Sequence, residues 1–362
     1  MGAYTLLELH HFRSYTEHTT TFEPGVNVIV GPNGSGKTNL LEALYVLSHG
    51  TSFRGIDRDM VSHGNDWFRL QAVYNGLERT LTCKLESPSV VDKQFTLDGV
   101  KRARLSHTQR VPVVLFEPEH LRLLRDAPSQ RRDYLDTLLI KLQTDYSWLK
   151  HQFERVLLQR NNVLKRRLPP DVRDDQLFAW DISFADLAEQ IASRRRELVT
   201  LIDTRMSAVY SKIAQAQHAV QVRYEQKIFG EDYRATLLAA LQATVQHDSD
   251  RGFTTVGPHR DELVVLLDGV PALAAASRGE MRSLLLALKI IELELVAEQS
   301  ETTPLLLLDD VFSELDTSRR RALASLAQDY QTLITTTDAD AVVGHFLDGY
   351  HVIATHNITD LG

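Results

Sequence analysis

A chain of 362 residues with 43% apolar and 24% charged residues is neither disordered nor fibrous, and it is long enough to predict two lobes or domains rather than one core. Its lone cysteine, Cys83, excludes an intramolecular disulfide and a thiolate metal cluster. A net charge of −8 argues against a protein that wraps nucleic acid with its whole surface, and leaves room for a local basic patch.

In chain order, residues 4–9 and 19–22 read as strands, and Pro24-Gly25 leads into an apolar strand over 26–30. Leu40, Leu41, Leu44 and Leu47 recur at helical spacing and predict a helix over about 38–47. From Trp67 to Leu97 the period becomes two: Phe68, Leu70, Ala72 and Tyr74 alternate, Asn75-Gly76 turns the chain, and Leu81, Cys83 and Leu85 alternate on the way back. Asp98-Gly99 repeats the turn signal before Val100, so an antiparallel β layer is expected, with Cys83 facing its core.

Over 129–168 apolar residues recur three or four apart, from Leu135 to Val163, and only Arg160 interrupts the stripe. Pro169-Pro170 ends that helix, and a second one runs through Leu187, Ile191, Leu198, Ile202, Met206, Val209 and Ile213. These two make a short antiparallel helical arm. Strand alternation returns over 220–224 and 263–267, where Asp268-Gly269 marks a hairpin. The last third predicts a helix over about 280–298, a strand over 304–309, a helix over about 318–328 and a strand over 331–336.

The expected fold is therefore α/β, with one sheet built from both ends of the chain. Residues 1–128 and 219–362 form the head with its return strands, and 129–218 the inserted arm. Apolar runs such as Leu305 to Leu308 are too short to cross a bilayer, and no signal core opens the chain, so a cytoplasmic location is the expectation.

Between the third strand and the first helix lies Gly31-Pro32-Asn33-Gly34-Ser35-Gly36-Lys37-Thr38, followed by Asn39. It fits a phosphate-binding loop, whose glycines turn backbone N–H groups inward toward an anion at the helix N-terminus. Lys37 is expected to reach the β- and γ-phosphates of ATP, and the Thr38 hydroxyl to coordinate Mg²⁺. Leu305-Leu306-Leu307-Leu308-Asp309-Asp310 supplies the partner acids: Asp309 for the magnesium shell, and Asp310 beside the attacking water. Ser277-Arg278-Gly279-Glu280 opens an apolar helix, where Ser277 and Gly279 could present a hydroxyl and N–H groups to a phosphate; an ordinary helix cap reads the same way.

With these motifs stand Phe12-Arg13-Ser14-Tyr15, Val114-Leu115-Phe116-Glu117-Pro118-Glu119, Arg131-Arg132-Asp133-Tyr134-Leu135-Asp136, Gly257-Pro258-His259-Arg260-Asp261-Glu262 and Val311-Phe312-Ser313-Glu314-Leu315-Asp316. Together they resemble the RecF family of bacterial recombination mediators, relatives of the SMC and ABC ATPases, over most of the chain. The resemblance implies an ABC/SMC-type ATPase head and a weak ATPase using ATP and Mg²⁺, with Lys37 and Asp310 as its catalytic residues. It also implies a homodimer closed by ATP and opened by hydrolysis, with Lys37 and Thr38 on one subunit and Ser277 on the other.

The same resemblance implies binding to double-stranded DNA and to gapped or single-strand/double-strand junctions. It further implies joint action with RecR and RecO in loading RecA, and no membrane. Asp316 matches the aspartate loop that communicates between the halves, and Thr335 to Thr337 stand where transporter-like relatives carry a switch histidine, which implies slow turnover. Glu117 stands where the family commonly has serine, and Glu280 where the wider ABC signature has glutamine. The rival class with the same site chemistry is the ATPase subunit of a membrane transporter, against which the helical insertion counts.

For DNA, the basic run Lys101, Arg102 and Arg104, with His107 and Arg110 nearby, is the favoured track. Arg155, Arg160, Lys165, Arg166 and Arg167 along the arm, and Arg194-Arg195-Arg196, could equally be a solvated face.

Overall fold

The computed structural model describes residues 2–87, 90–166, 168–346 and 349–355. They divide into two compact units, Met1–Leu121 with Glu292–Gly362, and Arg122–Ile291.

The first unit holds a five-stranded parallel sheet in the order Tyr350–Ala354, Val26–Val30, Gln331–Thr336, Leu305–Asp309, Val113–Phe116. Its middle pairs Val26–Val30 from one end of the chain with Gln331–Thr336 from the other. Continuous apolar runs such as Leu305 to Leu308 suit a parallel sheet, whose strands are covered on both faces.

A six-stranded antiparallel sheet lies in the same unit, in the order Tyr15–Thr21, Tyr4–Phe12, Trp67–Tyr74, Leu77–Ser87, Val90–Leu97, Val100–Arg102. Asn75 (φ 53°) with Gly76 (φ 78°), and Asp98 (φ 47°) with Gly99 (φ 76°), have both central turn residues left-handed, the twist that two-residue hairpins require. Between the sheets runs the helix Lys37–His49. Its Leu40, Leu41, Leu44 and Leu47 share one core with Leu7, Phe68 and Leu81 of the antiparallel sheet and with Leu307 and Leu333 of the parallel one. Cys83 is fully buried in that core, where burial pushes its thiol up to about 11, so it is an apolar filler rather than a nucleophile.

The second unit carries the helices Pro128–Leu142, Tyr146–Leu164, Pro170–Ala214 and Tyr233–Arg251, and a sheet in the order Val270–Pro271, Glu262–Leu267, Val220–Glu225. The single helix expected over 129–168 is two, because the chain turns extended at Gln143 and re-enters helix after Asp145. Pro170 starts the next helix rather than only ending the previous one, since a first-turn proline gives up an N–H that has no intrahelical partner. The arm exists as an antiparallel pair: Arg194 bonds Asp145, the Phe153 and Phe184 rings pack with centroids 5.2 Å apart, and Arg160 bonds Asp181. A further helix, Tyr233–Arg251, lies outside the elements that the periodicity predicts; Asp232 caps its start, and Gly252 (φ 73°) closes its end.

Arg160 does not break the stripe at the surface. Its side chain is fully buried, donating to Asp181 at 2.7 Å, Asp248 at 3.0 Å and the Thr254 hydroxyl at 2.8 Å. Arg195 is likewise buried, forked onto Asp136 at 2.8 and 2.9 Å and donating to the Pro258 carbonyl at 2.7 Å. Neither guanidinium is available to a phosphate, whereas Arg155, Lys165 and Arg166 are exposed; Arg167 lies outside the described residues. Removing Arg160 strands two carboxylates, Asp248 fully buried and Asp181 partly so. An Arg160→Ala variant is expected to lose about 3–5 kcal/mol in denaturant unfolding, whereas Arg155→Ala should stay within about 0.5 kcal/mol of the parent.

Candidate active site

The phosphate-loop geometry follows from its local sequence. The Val26–Val30 strand ends at Gly31, and the Lys37–His49 helix begins directly after Gly36, whose φ of 89° a side chain would strain. A Cβ at Gly36 would also stand 2.7 Å from the Tyr15 hydroxyl oxygen, so the loop is both left-handed and tightly backed there. Ser35 Oγ lies 2.8 Å from Thr355 Oγ1, and the Thr355 N–H donates to the Val30 carbonyl at 2.7 Å, bracing the loop from the edge strand. Lys37 Nζ folds over the loop and donates to the carbonyls of Gly31 (2.7 Å) and Pro32 (2.9 Å). Burial lowers its pKa, against the opposing pull of Asp310 and Asp309.

The two acids stand where the parallel register delivers them. Asp309 is the last residue of its strand and pairs with Thr335. Its Oδ1 accepts from Thr38 Oγ1 at 2.9 Å and from Thr335 Oγ1 at 2.6 Å. A threonine hydroxyl and a carboxylate this close form a hard oxygen donor pair that fits Mg²⁺, with the remaining positions left to phosphate and water. Asp310 steps out of the strand with a φ of 49°, and its N–H is held by the Thr335 carbonyl (3.2 Å) and hydroxyl (2.9 Å). Its Oδ1 is buried without a hydrogen-bond partner, and burial raises the carboxyl pKa above the ordinary aspartate range. The structure thus brings Lys37, Thr38, Asp309 and Asp310 together.

Three features of this site escaped the sequence reading. Glu42 is fully buried in the helix after the loop and receives Arg13 (2.8 and 2.5 Å), Arg54 (3.0 and 2.7 Å) and Ser52 (2.6 Å). Burial alone would raise its carboxyl, but the two guanidinium groups and the hydroxyl outweigh that and hold it below the usual range. The signal was present: an acid inside the run Leu40-Leu41-Glu42-Ala43-Leu44 must find cations. Arg54 also bonds Asn39, and Asn39 bonds Ser14. Arg13, Ser14, Asn39, Arg54, Asp59 and Val61 line an open depression of about 520 Å³ beside the start of that helix. The other two features are the bracing Thr355 and the contacts of Thr335, whose position matches a switch histidine but whose hydroxyl bonds Asp309 and the Asp310 N–H.

Other sequence candidates serve locally or belong to the second unit. Asp316 caps the helix Thr317–Ala327, accepting from the Arg319 N–H at 3.1 Å and the Ser318 hydroxyl at 2.9 Å. Ser277 and Gly279 belong to the second unit, at the start of the helix Arg278–Gln299. Ser277 N–H donates to Glu280 Oε2 at 2.7 Å, while Ser277 Oγ accepts from the Glu280 N–H at 3.3 Å, a reciprocal cap. His218, bonded to Asp268 at 2.7 Å, approaches the same glutamate at 3.8 Å. Lys101 and Arg102 sit on the short edge strand Val100–Arg102, and Arg104 follows it; all three are exposed, and no ion pair among the described residues engages them.

The model of the RecF/RecN/SMC N-terminal domain family matches residues 4–352. A DNA replication and repair protein RecF of Synechococcus sp. is 34% identical over 362 residues, covering 97% of this chain and 95% of the relative. One of the same name from Gloeobacter violaceus is 33% identical over 340 residues, covering 91% of each. The structure of the recombination mediator protein RecF-ATPrS in the RecFOR pathway superposes with a TM-score of 0.83 at 27% identity, over 94% of both chains. The Smc head domain of Pyrococcus furiosus, at 14% identity and a TM-score of 0.53, shares the fold over 99% of this chain and 95% of that one.

Proposed function

The chain belongs to the RecF/RecN/SMC N-terminal domain family, and on that premise we propose that it is an ATP-dependent, DNA-binding recombination mediator. In this reading ATP closes a homodimer on double-stranded DNA at gaps and single-strand/double-strand junctions. Slow hydrolysis reopens it, and the protein acts with RecR and RecO in the loading of RecA. The observation that carries the reading is the convergence of Lys37, Thr38, Asp309 and Asp310 on one phosphate loop within a head of this family.

Lys37, now resting on the loop carbonyls, exchanges them for β- and γ-phosphate oxygens. Thr38 and Asp309 would hold Mg²⁺, which supplies charge neutralisation at those oxygens. Asp310 orients the attacking water with its unpartnered oxygen. Ser277 and Gly279 of the other subunit complete the phosphate shell, and Asp316 stands at the junction between subunits.

Binding to gapped, blunt double-stranded and single-stranded probes, with ATP, with ADP and without nucleotide, tests the reading. Tighter retention on the gapped probe with ATP, together with an ATP-induced dimer, is the expected result. Equal binding in all nucleotide states, or recovery of the protein with membranes, would favour the transporter class instead. No helix among the described residues is long and apolar enough to cross a membrane.

The proposed DNA track is Lys101, Arg102 and Arg104. Replacing all three by alanine is expected to weaken every probe by a similar factor and to flatten the log–log salt dependence by up to about 2.7, at roughly 0.9 per phosphate contact. A folded triple variant with an unchanged salt slope would put the track elsewhere.

A further inference from the structure

Thr335 is fully buried at the C-terminal end of the Gln331–Thr336 strand, and its hydroxyl makes two bonds to consecutive residues. It donates to Asp309 Oδ1 at 2.6 Å and accepts from the Asp310 N–H at 2.9 Å. A hydroxyl has one proton, and here that proton is committed to Asp309. Thr335 is therefore not a substitute for a histidine that would donate to the γ-phosphate. Its oxygen instead joins the carboxylate on the metal side of the site to the backbone of the residue on the water side.

The join matters because of what Asp310 is. Aspartate is one methylene shorter than glutamate, so its carboxylate reaches the water position only if the backbone carries it there. That backbone stands at φ 49°, a left-handed conformation that L-residues other than asparagine and aspartate rarely adopt. Both bonds that the Asp310 N–H makes go to Thr335. We propose that Thr335 is a positioning residue for ATP hydrolysis, whose hydroxyl sets the Asp309 carboxylate and the Asp310 turn as one unit. The inference rests on the ATPase reading above and adds to it the residue that couples its two acids.

Packing and positioning predict opposite rankings of two conservative variants. Thr335→Val keeps the volume and branching of a buried strand residue and removes the hydroxyl; Thr335→Ser keeps the hydroxyl and leaves a methyl-sized void. If the hydroxyl positions the acids, Ser should retain turnover within about threefold, while Val should lose roughly 10- to 100-fold in kcat, the scale of a small misplacement at a reacting centre. ATP affinity should change little in either.

Amide exchange at Asp310 in the nucleotide-free protein supplies a readout apart from activity, expected to speed up in Val and not in Ser. In an Asp310→Asn background the Val substitution should cost less than it does alone, because the group being aimed is already lost. If Val matches the parent, or Ser is as slow as Val, the positioning role is wrong. Thr335→Ala takes the place of Val should Val not fold. A Lys37→Met control separates the two levels: full turnover in that control overturns the ATPase reading itself, whereas an inactive control beside an unaffected Val overturns only the role of Thr335.

Discussion

An Asp310→Asn variant is expected to bind ATP and close its dimer as the parent does, and to hydrolyse ATP about 10²- to 10⁴-fold more slowly, the range of a lost general base. The amide is nearly isosteric, and asparagine tolerates the left-handed backbone at this position as readily as aspartate, so the loop should survive the change. What disappears is basicity. Asp310 Oδ1 is buried without a partner, and burial raises the carboxyl pKa, which makes the ionised form a better proton acceptor than a surface aspartate. Asp309, with both threonine hydroxyls on its Oδ1, keeps the metal-holding role proposed for it. In the proposed cycle, where ATP closes the dimer and hydrolysis opens it, the variant should stay closed, and its dissociation from gapped DNA should slow in parallel with turnover. Single-turnover hydrolysis and DNA off-rates measured on one preparation check this. Hydrolysis at the parent rate would assign the water to another group.

The parts of this site that were legible in the sequence are those whose physics is local. A loop that cradles phosphate must be short, glycine-rich and flanked by strand and helix, so Gly31 to Thr38 announces itself, and an apolar strand ending in two acids does the same for Asp309 and Asp310. Side chains whose partners lie far along the chain were not legible. Arg160 is neutralised by Asp181 and Asp248 and bonds the hydroxyl of Thr254, 94 residues away, so its place in the helical stripe looked like a gap. Thr335 looked like a failed histidine because only the parallel register puts it beside Asp309. The helix Tyr233–Arg251 hid for another reason: Tyr233, Leu237 and Leu241 are its only buried apolar residues, too thin a stripe for periodicity to detect. The break at 143–145 hid because Leu142 and Tyr146 keep the helical spacing across it.

Mixing two inactive variants, Lys37→Met and Ser277→Arg, is expected to restore activity that neither possesses. Methionine removes the charged donor from the phosphate loop, and arginine places a bulky cation on the capped N-terminus that would face phosphate. If Lys37 and Ser277 of one chain served the same site, every site in the mixture would be broken, and mixing would recover nothing. If Ser277 instead serves the partner's nucleotide, each mixed dimer pairs both lesions in one site and leaves the other with an intact lysine and an intact serine. Random exchange makes half the dimers mixed, each with one good site of two, so recovery should approach about one quarter of the parent activity when sites fire independently. Obligatory coupling between the sites would lower turnover without preventing occupancy, so occluded nucleotide is the cleaner readout. The mixture should contain dimers holding a single trapped ATP, a species absent from both parents. Exchange demonstrated by tagged subunits, with no such species, would count against a signature acting in trans and against the composite dimer on which the proposed DNA clamp depends.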